Sequence, residues 1–100
     1  MENFDEKTLL DKFKISIGDI TPGNNGLDSF YEEQLTQAAA ILRSNDISES
    51  VLSSELGKAA IVMYAKTLMD GKDVAMDSTC VLLRNTLSVQ TKGERYADGN

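Results

Sequence analysis

The sequence predicts a small all-α bundle of about four helices, with a long loop after the first helix and a flexible C-terminal tail. Three observations predict it. Apolar residues recur at helical spacing over two long stretches, 27–44 and 49–70. The apolar content is Leu, Ile, Val, Met and Ala, with no Trp and only three Phe and three Tyr; a β-sandwich of this size carries more β-branched and aromatic positions. Capping and stop residues bracket the periodic stretches: Ser48 or Ser50 before one, Gly71 after it, Asp73 or Asp77 before the next.

The first element is a short helix over Asp5–Phe13. Asn3 or Asp5 caps it, acidic residues sit near its positive end, and Lys12 and Lys14 sit near its negative end. Leu9, Leu10 and Phe13 form a narrow apolar stripe. Nine residues are marginal as an isolated helix, so the stripe must dock on something. Ile15 to Gly26 reads as irregular. It holds Ile15, Ile17 and Ile20, then the turn dipeptides Pro22-Gly23 and Asn25-Gly26.

Leu27–Ser44 is a helix with Asn25 and Asp28 as a capping pair. Leu27, Tyr31, Leu35, Ala38 and Leu42 make one face, widened by Phe30 and Ile41, while Glu32, Glu33, Gln37 and Arg43 point away. Asn45-Asp46 breaks the pattern. The next helix, about Glu49 to Asp70, has an apolar arc too wide for a surface helix. Leu52, Leu56, Ala59, Met63 and the stem of Lys66 lie on one side, and Ala60, Ile61, Tyr64 and Leu68 on the adjoining one. It is expected to be the central helix. A fourth helix runs to about Gln90 with Cys80, Leu83, Leu87 and Val81 inward; Thr79–Leu83 is β-compatible, and helix is preferred there because an Asp can cap it and no second clear strand is available to pair with it. One domain is expected, its helical part over 1–90 and a polar tail over 91–100.

Chemistry is hard to find in this chain. There is no His, which removes the commonest general base and transition-metal ligand. Cys80 lies in an apolar run and reads as a buried structural thiol. Asp70, Asp73 and Asp77 lack the ligand alternation of a calcium loop and read as helix caps. No catalytic residue, metal or cofactor is therefore expected. The net charge of −6 argues against nucleic-acid phosphates or an acidic membrane as the main partner. The longest apolar run, Ala59 to Ala65, is about a third of the ~20 residues that span a bilayer. Met1–Glu6 has neither the basic start nor the apolar core of a signal peptide, so a cytoplasmic place of synthesis and assembly is expected.

Protein contact remains. The first helix has its stripe, the loop its three Ile and the tail its Tyr96. Each either closes the small core or faces a partner, and the residues alone leave both open. Lys92, Arg95 and Tyr96 form either a small basic-aromatic contact or a solvated tail.

The order of features resembles a known family. A short leading helix and a loop precede Leu27-Asp28-Ser29-Phe30-Tyr31 and Gln37-Ala38-Ala39-Ala40-Ile41-Leu42. A second long helix ends in Ala60-Ile61-Val62-Met63-Tyr64-Ala65-Lys66, and a terminal helix and polar tail follow. This pattern looks like the head–tail connector proteins (adaptor or head-completion proteins) of tailed bacteriophages, over most of the chain. The resemblance implies a virion protein that forms a twelve-fold homo-oligomeric ring below the portal protein, with double-stranded DNA passing through its lumen. It implies portal contacts at Lys92, Arg95 and Tyr96. It places contacts to a neighbouring copy or to a tail-side stopper protein on the loop, at Ile17, Ile20, Asn24 and Asn25, and a ring's need for a second, unlike patch adds Leu9 and Phe13 of the first helix as candidates. The alternative is a small helical regulator that binds one cellular protein.

Overall fold

The computed structural model describes residues 6–19 and 26–97. Among them the chain forms five helices and no strand: α1 (Glu6–Ser16), α2 (Gly26–Ser44), α3 (Glu49–Leu52), α4 (Glu55–Met69) and α5 (Ser78–Ala97). The all-α bundle is as the periodicity predicts. The β-compatible run Thr79–Leu83 is helix, because Asp77 supplies a cap. Its Oδ2 accepts from the Cys80 backbone N–H at 3.0 Å, satisfying one of the donors that a helix start leaves open.

α4 is the central helix and packs against α1, α2, α3 and α5. Its deepest residues are Ala60, Ile61, Tyr64 and Ala65. The Leu52/Leu56/Ala59/Met63 side is shallower than the pattern suggests. Leu52 is buried, Leu56 and Met63 are half-buried, and Ala59 is exposed. The small residues Ala38 on α2 and Ala60 on α4 are fully buried, which lets helix axes approach closely.

Three helix ends use the same device. After α1, the Asp19 N–H donates to Lys14 O at 2.8 Å and the Gly18 N–H to Ile15 O at 3.1 Å, with Gly18 at φ +81°. After α4, Lys72 and Gly71 donate to Thr67 O and Leu68 O, with Gly71 at φ +75°. After α2, Ile47 and Asp46 donate to Leu42 O and Arg43 O in the same pattern. Each pairs a six-residue with a four-residue closure, the double bond of a left-handed C-terminal cap. The third uses Asp46, at φ 68°, where the others use glycine. A side chain in that region costs about 1 kcal/mol or more. Asp46→Gly is therefore expected to stabilise the protein by about half a kcal/mol, net of its exposed ion pair with Arg95. Urea denaturation checks the sign.

The expected single helix over 49–70 is broken in two. Ser53 caps the end of α3 and Ser54 the start of α4. The Ser54 hydroxyl accepts from the Gly57 N–H at 3.0 Å and donates to Val51 O at 2.6 Å. Serine side chains compete with the helical ladder for backbone groups, and two in a row end one helix and begin another.

The last helix is longer than expected. The boundary near Gln90 moves to Ala97, so residues 91–97 continue α5 and only 98–100 of the expected tail lie outside the described residues. The cause lies in α3. Thr91 is 1 % exposed and its Oγ1 accepts from the Ser48 N–H at 3.2 Å. The Glu94 carboxylate then accepts from the hydroxyls of both Ser48 and Ser50. These polar residues read as tail in the sequence because their partners lie more than forty positions upstream.

Candidate interaction surfaces

The predicted contact residues divide sharply. Leu9 (2 % exposed) and Phe13 (0 %) sit in the core, so the α1 stripe closes the bundle and is not a contact for a neighbouring copy. Phe13 meets the Tyr31 ring edge-on at 5.4 Å. Ile17 is half-buried against the same core and keeps part of its surface exposed. The stripe is buried because α1 is of marginal length: it stabilises the helix by docking on α2 and α4. Ile20, Asn24 and Asn25 lie outside the described residues. Lys92 and Arg95 are exposed on α5, and Arg95 reaches Asp46 at 3.4 Å. Tyr96 stands in the last turn of the same helix, one residue beyond Arg95.

The exposed apolar residues are others. Among the described residues, six large ones stand in solvent: Ile15, Leu27, Phe30, Met76, Leu82 and Val89. The spacing predicts Leu27 and Phe30 on the core face of α2. The rest of that face, Tyr31, Leu35, Ala38 and Leu42, is buried as the spacing predicts, and Ala39 widens it on the side away from Phe30.

Five of the six form two groups. Ile15 stands near the end of α1, and Leu27 and Phe30 in the first two turns of α2. Lys14 Nζ donates to Asp28 Oδ1 at 3.0 Å between the two helices, with both side chains about 10 % exposed. Ile15 follows Lys14 and Leu27 precedes Asp28, so both flank the buried pair. Phe30 lies 6.1 Å from the Tyr31 ring, whose hydroxyl donates to Asp19 Oδ2 at 2.9 Å. That hydrogen bond to a carboxylate holds the Tyr31 hydroxyl above the usual tyrosine range.

Leu82 and Val89 form the second group, on α5. They stand seven residues apart, two helical turns, and so share a face. Cys80 and Leu87 stand seven apart on the buried face. α5 therefore carries two apolar stripes, one inward and one outward. Between Ser78 and Thr91 its only charged residue is Arg84. The signal is present in the sequence: a charge-poor segment in a chain with 26 % charged residues. The inward stripe alone satisfies the helical pattern and conceals the second.

The charges differ between α2 and α5. α2 carries Asp28, Glu32 and Glu33 in its first half and no cation before Arg43. α5 carries Arg84, Lys92 and Arg95 against Glu94 alone. The hydrogen bonds from Ser50 and Ser48 hold the Glu94 carboxyl below its ordinary range. The backbone N–H of Cys80 does the same for Asp77. A carboxyl depressed in the folded state contributes stability above the unfolded pKa and loses it as pH falls through the folded value. Stability is thus expected to drop on acidification below the ordinary carboxylate range. Glu94→Gln should flatten that acid limb, as thermal melts across pH would show.

Cys80 is fully buried, and its thiol is pushed up by burial, so it stays protonated and unreactive at neutral pH. Its Sγ lies 3.4 Å from Thr67 Oγ1, and its carbonyl accepts from the Tyr64 hydroxyl at 3.1 Å. Among the described residues no three His, Cys, Asp or Glu side chains cluster as metal ligands. Among the same residues no helix is long and apolar enough to cross a membrane. Comparison with protein-family models, curated proteins and solved structures finds no match for this chain.

Proposed function

We propose that the chain is a structural head–tail connector of a tailed phage, one subunit of a ring that sits under the portal protein and joins the DNA-filled head to the tail. One observation carries this reading. Large apolar side chains stay exposed on two separate parts of the bundle, Ile15, Leu27 and Phe30 on α1 and α2 and Leu82 and Val89 on α5. A ring needs heterologous contacts, in which one patch meets a different patch on the next subunit, and two unlike patches supply the two halves. The order of helices and the Leu27–Tyr31 and Ala60–Lys66 segments resemble the connector family. The acidic balance fits a lumen: twelve copies at −6 give a ring of about −72, along which DNA slides without adhering.

Portal docking falls to Lys92, Arg95 and Tyr96, in this reading presented on the last two turns of α5. Deleting 91–100 is a poor test of docking, because the deletion removes the buried Thr91 and the Glu94 clamp as well. The variant Lys92→Glu/Arg95→Glu leaves both in place. The expected result is a folded protein, by circular dichroism, that no longer joins a cognate portal ring in negative-stain images. A wild-type chain that ignores portals and stays a tight monomer or dimer defeats the connector reading.

A further inference from the structure

We propose that α3 is a hinged latch, a segment that swings about Ser54 and joins α4 as one straight helix when its ties to α5 are released. The latch stands apart from the connector reading and needs no partner. The break between the two helices lies in one torsion. Ser53 is still right-handed helical, at φ −79° and ψ −13°. Ser54 has a helical φ of −69°, and only its ψ of 165° is extended. Rotating that ψ to the helical value of about −42° carries one helix from α3 into α4, a hinge of the kind that a single residue at an element's end can absorb. The residues allow it. Glu49 to Leu56 include neither Pro nor Gly, and the apolar spacing runs on through the break. In the straight form the Glu55, Leu56 and Gly57 N–H groups reach the Val51, Leu52 and Ser53 carbonyls, four residues back, in the ordinary helical ladder.

What folds α3 back comes from elsewhere in the chain. The Ser48 N–H donates to Thr91 Oγ1, and the Ser48 and Ser50 hydroxyls donate to the Glu94 carboxylate, both on α5. The Arg43 guanidinium at the end of α2 grips Glu49. Val51 and Leu52 are buried, so the bent form is the resting one. Gly57 belongs to that form alone. The Val51 and Leu52 carbonyls lie where its Cβ would stand. In a straight helix those two residues are roughly 7.5–9 Å away along the axis, and alanine at 57 is better than glycine. Glycine there keeps the bend possible, at the cost of the helix. The latch is set by the last turns of α5, where Thr91 and Glu94 alternate with the exposed Lys92 and Arg95, so whatever displaces that end frees α3.

Nuclear magnetic resonance of the full chain reads the hinge directly. The Cα and Cβ shifts of Ser54 separate extended from helical backbone, and saturation-transfer measurements detect a minor form in exchange with the major one. In the wild-type chain Ser54 is expected to be extended, with the helical form at about a tenth or less. Thr91→Val/Glu94→Ala removes the ties to α5 and is expected to raise the helical population roughly tenfold. Gly57→Ala blocks the bend and is expected to make the helical form the major one, with residues 49–54 still helical in their own shifts.

A folded Gly57→Ala that keeps Ser54 extended overturns the proposal. So does one in which residues 49–54 lose their helical shifts, because α3 has then frayed and not straightened. If Gly57→Ala unfolds throughout, Thr91→Val/Glu94→Ala decides: a gain of helical Ser54 supports the latch, and an unchanged Ser54 in a folded bundle rejects it.

Discussion

Replacing Gly57 by Ala is expected to cost about 3 kcal/mol, the upper end of what forced overpacking takes. The direction is opposite to the usual one. Glycine inside a helix is worse than alanine by roughly 0.5–1 kcal/mol, because it gives up more backbone freedom on folding. Gly57 lies in the first turns of α4, directly under the break from α3. An added Cβ would fall 2.6 Å from the Leu52 carbonyl carbon and closer still to the Val51 and Leu52 carbonyl oxygens. These are backbone atoms, fixed by the caps at Ser53 and Ser54, and no side chain can swing aside to make room. The methyl group must push α3 away from α4, and α3 carries the buried Val51 and Leu52. Gly93 supplies the control. It lies inside α5, and a methyl group added there would meet nothing within 4 Å, so Gly93→Ala is expected to stabilise by about 0.5–1 kcal/mol. Urea denaturation of the two variants reads both signs. A destabilising Gly93→Ala would mean that α5 does not continue past Gln90, and a neutral Gly57→Ala would mean that α3 and α4 do not meet as described.

Those two glycines also show what a sequence can and cannot tell. Helix α2 and most of α4 were legible, because burying one face imposes a period that local residues record, whereas for α5 the period left helix and strand open and the Asp cap decided. Gly71 and Asp77 marked ends through local backbone chemistry. Gly57 was illegible: its need is set by carbonyls of another helix, and nothing beside it in sequence reports them. The same holds for Thr91 and Glu94. They look like surface polar residues, and they are fastened by Ser48 and Ser50 across more than forty positions. The contact surfaces were half legible. The α1 stripe suggested an interface or a core with equal force, because nine residues with three apolar side chains serve either. The core took Leu9 and Phe13, and exposure fell to Ile15, Leu27 and Phe30 beside them. On α5 the spacing of Leu82 and Val89 was visible, but Cys80 and Leu87 show the same spacing, and only packing decides which stripe turns inward.

Removing the cation of the buried Lys14–Asp28 pair is expected to have the second large effect. Lys14→Met leaves the Asp28 carboxylate at 7 % exposure without its 3.0 Å partner. An uncompensated buried charge costs about 3–5 kcal/mol, a large share of the roughly 5–15 kcal/mol that holds a typical domain together. The two halves of the pair are not equivalent. Asp28 has a short side chain fixed on α2 and cannot reach water without moving the helix. Lys14 sits near the end of α1, beside the exposed Ile15, and its long stem can carry the ammonium outward. Asp28→Leu should therefore cost less than Lys14→Met. The double variant Lys14→Met/Asp28→Leu should recover most of the loss, since an apolar pair of similar volume needs no desolvated charge. Urea denaturation of the four proteins forms the cycle. A Lys14→Met loss under about 1 kcal/mol would place the pair in the class of exposed ion pairs and refute its burial.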